Sequence, residues 1–270
     1  MLDIRQVYKT FNLGTPNEVR ALRGVNLSID DGSFVVVIGT NGSGKSTLLT
    51  AIAGGFLLDS GAMILDGTDV TAWPEHRRAS RIGRVFQNPF SGTAPSMSIA
   101  ENLALAAKRG RRRGLGWALK RSSRGEFRDR VRQLNMGLEE RLDNPIGSLS
   151  GGQRQALTLL MASWLKPKLL LLDEHTAALD PKSADQVIRL SEAIVARDKL
   201  TTLMVTHSMS QAASLGDRLV MMNRGTVLHD FRGSEKQRLR AGDLLNRFED
   251  VRRAELLDEP AAGMLRRLYV

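Results

Sequence analysis

Phe34-Val35-Val36-Val37-Ile38-Gly39-Thr40-Asn41-Gly42-Ser43-Gly44-Lys45-Ser46-Thr47-Leu48-Leu49 is the stretch on which the fold turns. Its first five residues form a short, continuous, mostly β-branched run, the pattern of a strand buried on both faces in a parallel sheet. Gly39 to Ser46 then match G-x-x-x-x-G-K-[ST], and Thr47 to Ala53 read as a helix stopped by Gly54-Gly55. Glycines let the backbone curl until successive N–H groups face one anion, and the helix that starts there adds the positive end of its dipole. Lys45 is placed to reach the β- and γ-phosphates of a nucleotide, and the Ser46 hydroxyl to take a position on Mg²⁺. The bland alternative is a glycine-rich turn with an unrelated lysine. A buried strand on one side and a helix on the other weigh against it.

Outward from this core, residues 1–38 read as strands. Val25 to Ile29 alternates apolar and polar, and Asp30-Asp31-Gly32 marks a turn. Downstream, Asp59-Ser60-Gly61 precedes a strand over Ala62 to Leu65, with a turn at Asp66-Gly67. From about Asn88 to Trp164 the character becomes helical, with a helix starting near Ser98 and another over Phe127 to Leu134. Leu169 to Leu172 is a second buried strand and Thr201 to Thr206 a third, separated by a helix from about Lys182 to Arg197. Leu219 to Met222 and Gly225 to Leu228 pattern as a hairpin. Beyond Phe231 the chain is charged, with Leu244, Leu245, Phe248 and Val251 at helical spacing. Buried strands alternating with helices predict an α/β fold around a mostly parallel sheet.

Two further strand ends carry chemistry. Leu169 to Leu172 delivers Asp173-Glu174 to the carboxyl edge of its sheet, where ligands bind in such folds. Asp173 there suits Mg²⁺ held through water, and Glu174 suits orienting an attacking water. Thr206-His207 ends the third strand, which puts His207 where a γ-phosphate could be sensed; a lone histidine would carry little weight by itself.

Leu149-Ser150-Gly151-Gly152-Gln153 gives the set a family. Over about residues 1–230 the chain resembles the ABC-transporter ATPases: the phosphate loop resembles Walker A, and Leu169 to Glu174 Walker B. Gln87, in Val85-Phe86-Gln87-Asn88-Pro89, resembles the Q-loop. Asp180, in Ala178-Leu179-Asp180, resembles the D-loop, and His207 the switch histidine. Phe11 resembles the aromatic that stacks on adenine, with Tyr8 as the alternative.

The resemblance implies a P-loop NTPase with a RecA-like core, an antiparallel β subdomain and an inserted helical subdomain at about 88–164. Residues 1–230 would then be the nucleotide-binding domain and 231–270 a C-terminal helical extension. ATP would contact Phe11, Gly39, Thr40, Asn41, Gly42, Ser43, Gly44, Lys45, Ser46 and Thr47 of one copy, and Ser150, Gly151, Gly152 and Gln153, with Asp180 nearby, of a second. Mg²⁺ would be held by Ser46, Gln87 and Asp173, with Glu174, His207 and Gln87 serving hydrolysis. The implied partners are a second ATPase subunit, an integral membrane permease and, for an importer, a solute-binding protein, with the chain on the cytoplasmic face of the membrane. Asp173 to Asp180 further resembles an importer subgroup with permeases like those for branched-chain amino acids, some members being suspected tryptophan or tyrosine importers. Two departures stand out: His175 occupies a position where many relatives have proline, and Ala156 one where many have arginine.

Composition narrows the field. The 270 residues include no cysteine, so no disulfide framework or cysteine metal site exists, as fits a reducing compartment. The N-terminus lacks the pattern of a signal peptide, and nowhere do 18 apolar residues run together, so any membrane role is expected to come through a partner. Most of the net charge of +10 sits in one stretch: between Lys108 and Arg132, eleven Lys or Arg face two acids, a net of +9. Such a surface suits nucleic acid, anionic head groups or an acidic permease loop, or it is a solvated helical face. A nucleic-acid- or ribosome-associated ABC ATPase is the competing reading. The chain has neither the long coiled-coil insertion nor the tandem ATPase units of those proteins, so no nucleic acid is expected.

Overall fold

The computed structural model describes residues 1–110, 123–251 and 253. Its strands are β1 (Leu2–Phe11), β2 (Val19–Ile29), β3 (Phe34–Gly39), β4 (Ser60–Leu65), β5 (Thr68–Asp69), β6 (Ile82–Val85), β7 (Leu169–Asp173), β8 (Thr202–Val205), β9 (Arg218–Asn223) and β10 (Thr226–Arg232). The helices are α1 (Lys45–Ala53), α2 (Glu75–Arg78), α3 (Ile99–Ala107), α4 (Ser123–Arg132), α5 (Gly151–Ser163), α6 (Pro181–Asp198), α7 (Met209–Ser214) and α8 (Gly233–Arg238). An antiparallel sheet runs β2-β1-β4-β5 and a six-stranded sheet β10-β9-β3-β8-β7-β6. Only the β9–β10 pairing in the second sheet is antiparallel.

The uninterrupted apolar strands follow from burial on both sides. Along β3, Val35 and Val37 face the core shared with the antiparallel sheet and α1, while Val36 and Ile38 face the opposite core. Leu169 and Leu171 alternate with Leu170 and Leu172 in the same way. Each fully buried side chain of this kind contributes roughly 1.5–3 kcal/mol relative to exposure. A third apolar cluster, built from α3, α4 and α5 around Phe127 and Trp164, forms the helical part.

β6 carries Gln87 at its end and was not foreseen, because Ile82-Gly83-Arg84-Val85 lacks an apolar run. Gly83 sits where the α5 backbone passes: a Cβ there would lie 2.4 Å from the Ala162 carbonyl oxygen. The helical run at 241–251 buries Leu244, with Phe248 and Val251 packed against the same cluster. Leu245 departs from the expected apolar stripe. It is 51% exposed, since a residue one step along from Leu244 turns about 100° off the packed face. The basic residues Arg111, Arg112, Arg113, Lys120 and Arg121 lie outside the described residues, as do 254–270. No helix among the described residues is long and apolar enough to cross a membrane.

Arg78 is the largest fully buried side chain among the described residues. Its guanidinium donates to the carbonyls of Ala51 and Ile52 at the end of α1, and to those of Trp73 and Thr71. It therefore caps the negative end of the helix whose other end forms the phosphate loop.

Candidate active site

The loop between β3 and α1 wraps an open cavity of about 490 Å³. Phe11, Asn41, Gly42, Ser43, Gly44, Lys45, Ser46 and Thr47 line it on one side, and Glu174 and His207 on the other. Gly44 caps α1 at φ +97°, and a Cβ there would lie 2.5 Å from the Ala21 carbonyl oxygen, so both conformation and space require glycine. No side chain caps this helix start, which leaves its first N–H groups open to a ligand. Lys45 is only 5% exposed. Its ammonium donates to the carbonyls of Gly39 at 2.9 Å and Thr40 at 3.0 Å. Burial pushes its pKa below the ordinary lysine value, and the carboxylates of Glu174 and Asp173 work against that shift.

Glu174 follows β7 with a left-handed φ of +45°. Its N–H donates to the Val205 carbonyl, which ties the loop to β8, and its carboxylate meets His207 Nε2 at 2.6 Å. A second link joins the two loops. Gln211, in the first turn of α7, accepts from the Thr206 hydroxyl at 2.7 Å and donates to Thr176 Oγ1 at 3.4 Å. Asp173 sits beside the cavity, where Arg84 Nη2 donates to it at 3.0 Å. His175 is buried and donates from Nε2 to Ser191 Oγ, which itself donates to the Val187 carbonyl. Burial pushes the His175 pKa down to about 4.

The structure divides the expected site residues between two places. Tyr8 does not line the cavity, whereas Phe11 does, with Phe56 edge-on at 5.3 Å. Gln87 is exposed at the end of β6 and is not among the lining residues. Ser150, Gly151, Gly152 and Gln153 stand elsewhere, at the start of α5. There Ser150 Oγ accepts from the Gln153 N–H, and Gln153 Oε1 accepts from the Ser150 N–H. Gly152 abuts Ser183 and Gly151 abuts Leu179, which sets this helix start against Asp180, the cap of α6.

Sequence reasoning missed the ties between α5 and the Gln87 loop. Gln155 Nε2 donates to the Phe86 carbonyl at 3.0 Å. Arg154 lies 3.7 Å from the Phe90 ring centroid and donates to the carbonyls of Ile146, Gly147 and Leu149. The S-x-x-Q spacing at Ser150–Gln153 was the one local signal that could have marked this helix start.

The family described as ABC transporter matches residues 22–177. The chain belongs to the ABC transporter family. It is an ABC ATPase, the ATP-binding and ATP-hydrolysing subunit of a transporter. It is 43% identical over 251 residues, 92% of its own length and 99% of the relative's, to a tyrosine transport ATP-binding protein of Clostridioides difficile. It is 34% identical to the spermidine/putrescine import ATP-binding protein PotA of Haemophilus influenzae, over 85% of this chain and 57% of that one. Among solved structures, it superposes with a TM-score of 0.73 and 27% identity on an ATP-binding cassette in a dimeric post-hydrolysis state bound to ADP and Pi. That match covers 86% of this ATPase and 98% of the other chain.

Proposed function

We propose that this ATPase drives import of an aromatic amino acid of the tyrosine class through a separate membrane permease, as a head-to-tail dimer that closes on two ATP molecules. The dimer is supported above all by the split site. Lys45, Glu174 and His207 surround the phosphate-loop cavity, while the Ser150–Gln153 helix start, exposed at Ser150 and Gly151, does not line it. A second copy laid against the cavity would bring that helix start to the γ-phosphate. The substrate class is supported by the near full-length likeness to the tyrosine transport protein.

Residue roles follow from placement. Phe11 stacks on the adenine, and Gly39 to Thr47 cradle the phosphates. Glu174 orients and polarises the attacking water, and His207, in contact with it, faces the γ-phosphate. Ser46, Asp173 and Gln87 offer hydroxyl, carboxylate and amide oxygens, the hard donor set that Mg²⁺ takes. The fit is supported by Arg84, which touches both Asp173 and Thr50 Oγ1, since Thr50 lies one turn beyond Ser46 on α1. When bound, the ion would offset negative charge that develops on the phosphate oxygens. The chain then sits on the cytoplasmic face of the membrane, held by its permease, with a solute-binding protein delivering the amino acid. Residues 1–230 act as the nucleotide-binding domain, with 231–270 as a helical extension.

The test uses Glu174→Gln with size exclusion. ATP with Mg²⁺ converts the variant to a dimer and ADP leaves it monomeric. Absence of an ATP-dependent dimer, both alone and with the permease co-expressed, would sink the composite-site reading. Tyrosine uptake that survives deletion of the chain would sink the substrate class.

A further inference from the structure

Arg84 is used by none of the roles above. It stands on β6, the edge strand of the six-stranded sheet, opposite Leu171 of β7. From there one nitrogen, Nη2, donates to Asp173 Oδ2 at 3.0 Å and to Thr50 Oγ1 at 3.2 Å. The guanidinium also lies over the Phe86 ring, 4.7 Å from its centroid. Both side chains of the ion pair are largely removed from solvent, with 16% and 13% exposure, so salt and water screen it poorly. Arg84 Nε is buried with no hydrogen-bond partner. A planar guanidinium that leaves one donor orphaned is not in its best hydrogen-bonding pose; the Asp173 charge holds it there.

The position has an electrostatic consequence. Ser46 and Thr50 are four residues apart on α1 and share a face. A cation that reaches Ser46 and Asp173 therefore arrives where a fixed positive charge already stands. We propose that Arg84 is a resident counter-ion of Asp173 that competes with Mg²⁺. It keeps the carboxylate paired while the site holds no metal–nucleotide complex, and it lowers the affinity of that complex when it arrives. The proposal rests on the reading of Asp173 as the metal-holding acid.

Two features make such competition useful. Asp173 and Glu174 are adjacent carboxylates, and a second buried cation beside them is Lys45, whose ammonium is held by the Gly39 and Thr40 carbonyls. Without Arg84, the metal-free pocket would carry unbalanced negative charge. The guanidinium also borders the cavity under the Gln87 loop, together with Ser91, Thr93 and Asn102. A weakening of the Arg84–Asp173 attraction on metal arrival is therefore felt directly at Phe86, next to Gln87.

The experiment compares ADP affinity with Mg²⁺ against ADP affinity with EDTA, read by fluorescence of a labelled ADP, so hydrolysis plays no part. Wild type, Arg84→Gln, Arg84→Met, Arg84→Lys and Asp173→Asn are measured. The Mg²⁺ enhancement of ADP binding rises at least about tenfold in Arg84→Gln and Arg84→Met, since a unit charge a few ångströms from a divalent cation is worth that much even at the dielectric of water. It stays near wild type in Arg84→Lys, which keeps the charge. Either neutral variant recovered folded, shown by cooperative thermal unfolding, suffices. An unchanged or smaller enhancement in the neutral variants overturns the competition: Arg84 would then only orient Asp173. An enhancement in wild type that Asp173→Asn leaves intact overturns the metal role of Asp173 and this inference with it.

Discussion

The phosphate loop and the Ser150–Gln153 segment are both glycine-rich helix starts, and they are built in opposite ways. α1 begins at a left-handed glycine with no side-chain cap, and the lysine beside it is buried under the loop's own carbonyls. α5 begins at an exposed serine that trades hydrogen bonds with Gln153, so that the Ser150 and Gln153 N–H groups are both satisfied within the segment. The first is a site completed within one chain, with donors left open and a cation already in place. The second bonds two of its own first-turn groups to each other and lies outside the phosphate-loop cavity. Under the composite-site proposal, ATP binds the first half alone, and the second half reads whether ATP is there.

The largest effect expected is on the completed half. Lys45→Ala lowers nucleotide affinity by about 100-fold or more, because a buried charge-assisted contact to phosphate is lost; binding of labelled ATP measures it, and binding within tenfold of wild type would contradict the assignment. Next comes the incomplete half. Gly151→Asp, in the Glu174→Gln background, leaves ATP binding to the monomer within about twofold and abolishes ATP-driven dimerisation, since an added carboxylate repels the incoming phosphate. If the dimer persists in size exclusion, the two regions do not meet.

Two smaller tests probe the ground between them. His175 is neutral in the fold because burial depresses its pKa from 6.5 to about 4. Its contribution to stability is complete above pH 6.5 and falls as pH drops toward 4, because only the unfolded chain takes up the proton in that window. Urea unfolding should show about 1.5 kcal/mol lost between pH 6.5 and 5 from this group. His175→Asn should lack that component, and an identical pH slope would refute the assignment. Gln211→Ala cuts the link between the loops bearing Glu174 and His207. It should lower kcat roughly fivefold with KM for ATP unchanged, in line with loss of positioning; a parallel rise in KM would point to general loosening instead.

The sequence was most legible where one segment carries the whole signal. Phe34 to Leu49 revealed strand, loop and helix together, because burial on both faces and the left-handed glycines impose residue types locally. Leu169 to Glu174 was legible for the same reason. β6 was not, since Gly83 answers to the α5 backbone and Arg84 to Asp173, partners 79 and 89 residues away along the chain. The Gln211 bridge and the Arg154–Phe90 contact were invisible on the same ground: each joins segments that only the fold brings together. The Ser150–Gln153 half of the proposed site rests on family resemblance, with the capping spacing as its local trace.

Arg78 has a mechanical consequence. Its guanidinium is riveted at once to Ala51 and Ile52 at the base of the phosphate-loop helix and to Thr71 and Trp73 in the segment that leaves the antiparallel sheet. A helix fastened this way cannot slide along its axis without hauling that segment with it. Any tug that a phosphate exerts at one end of α1 is therefore passed at the other end, as a pull on a stiff rod, into the β-sheet that carries Phe11.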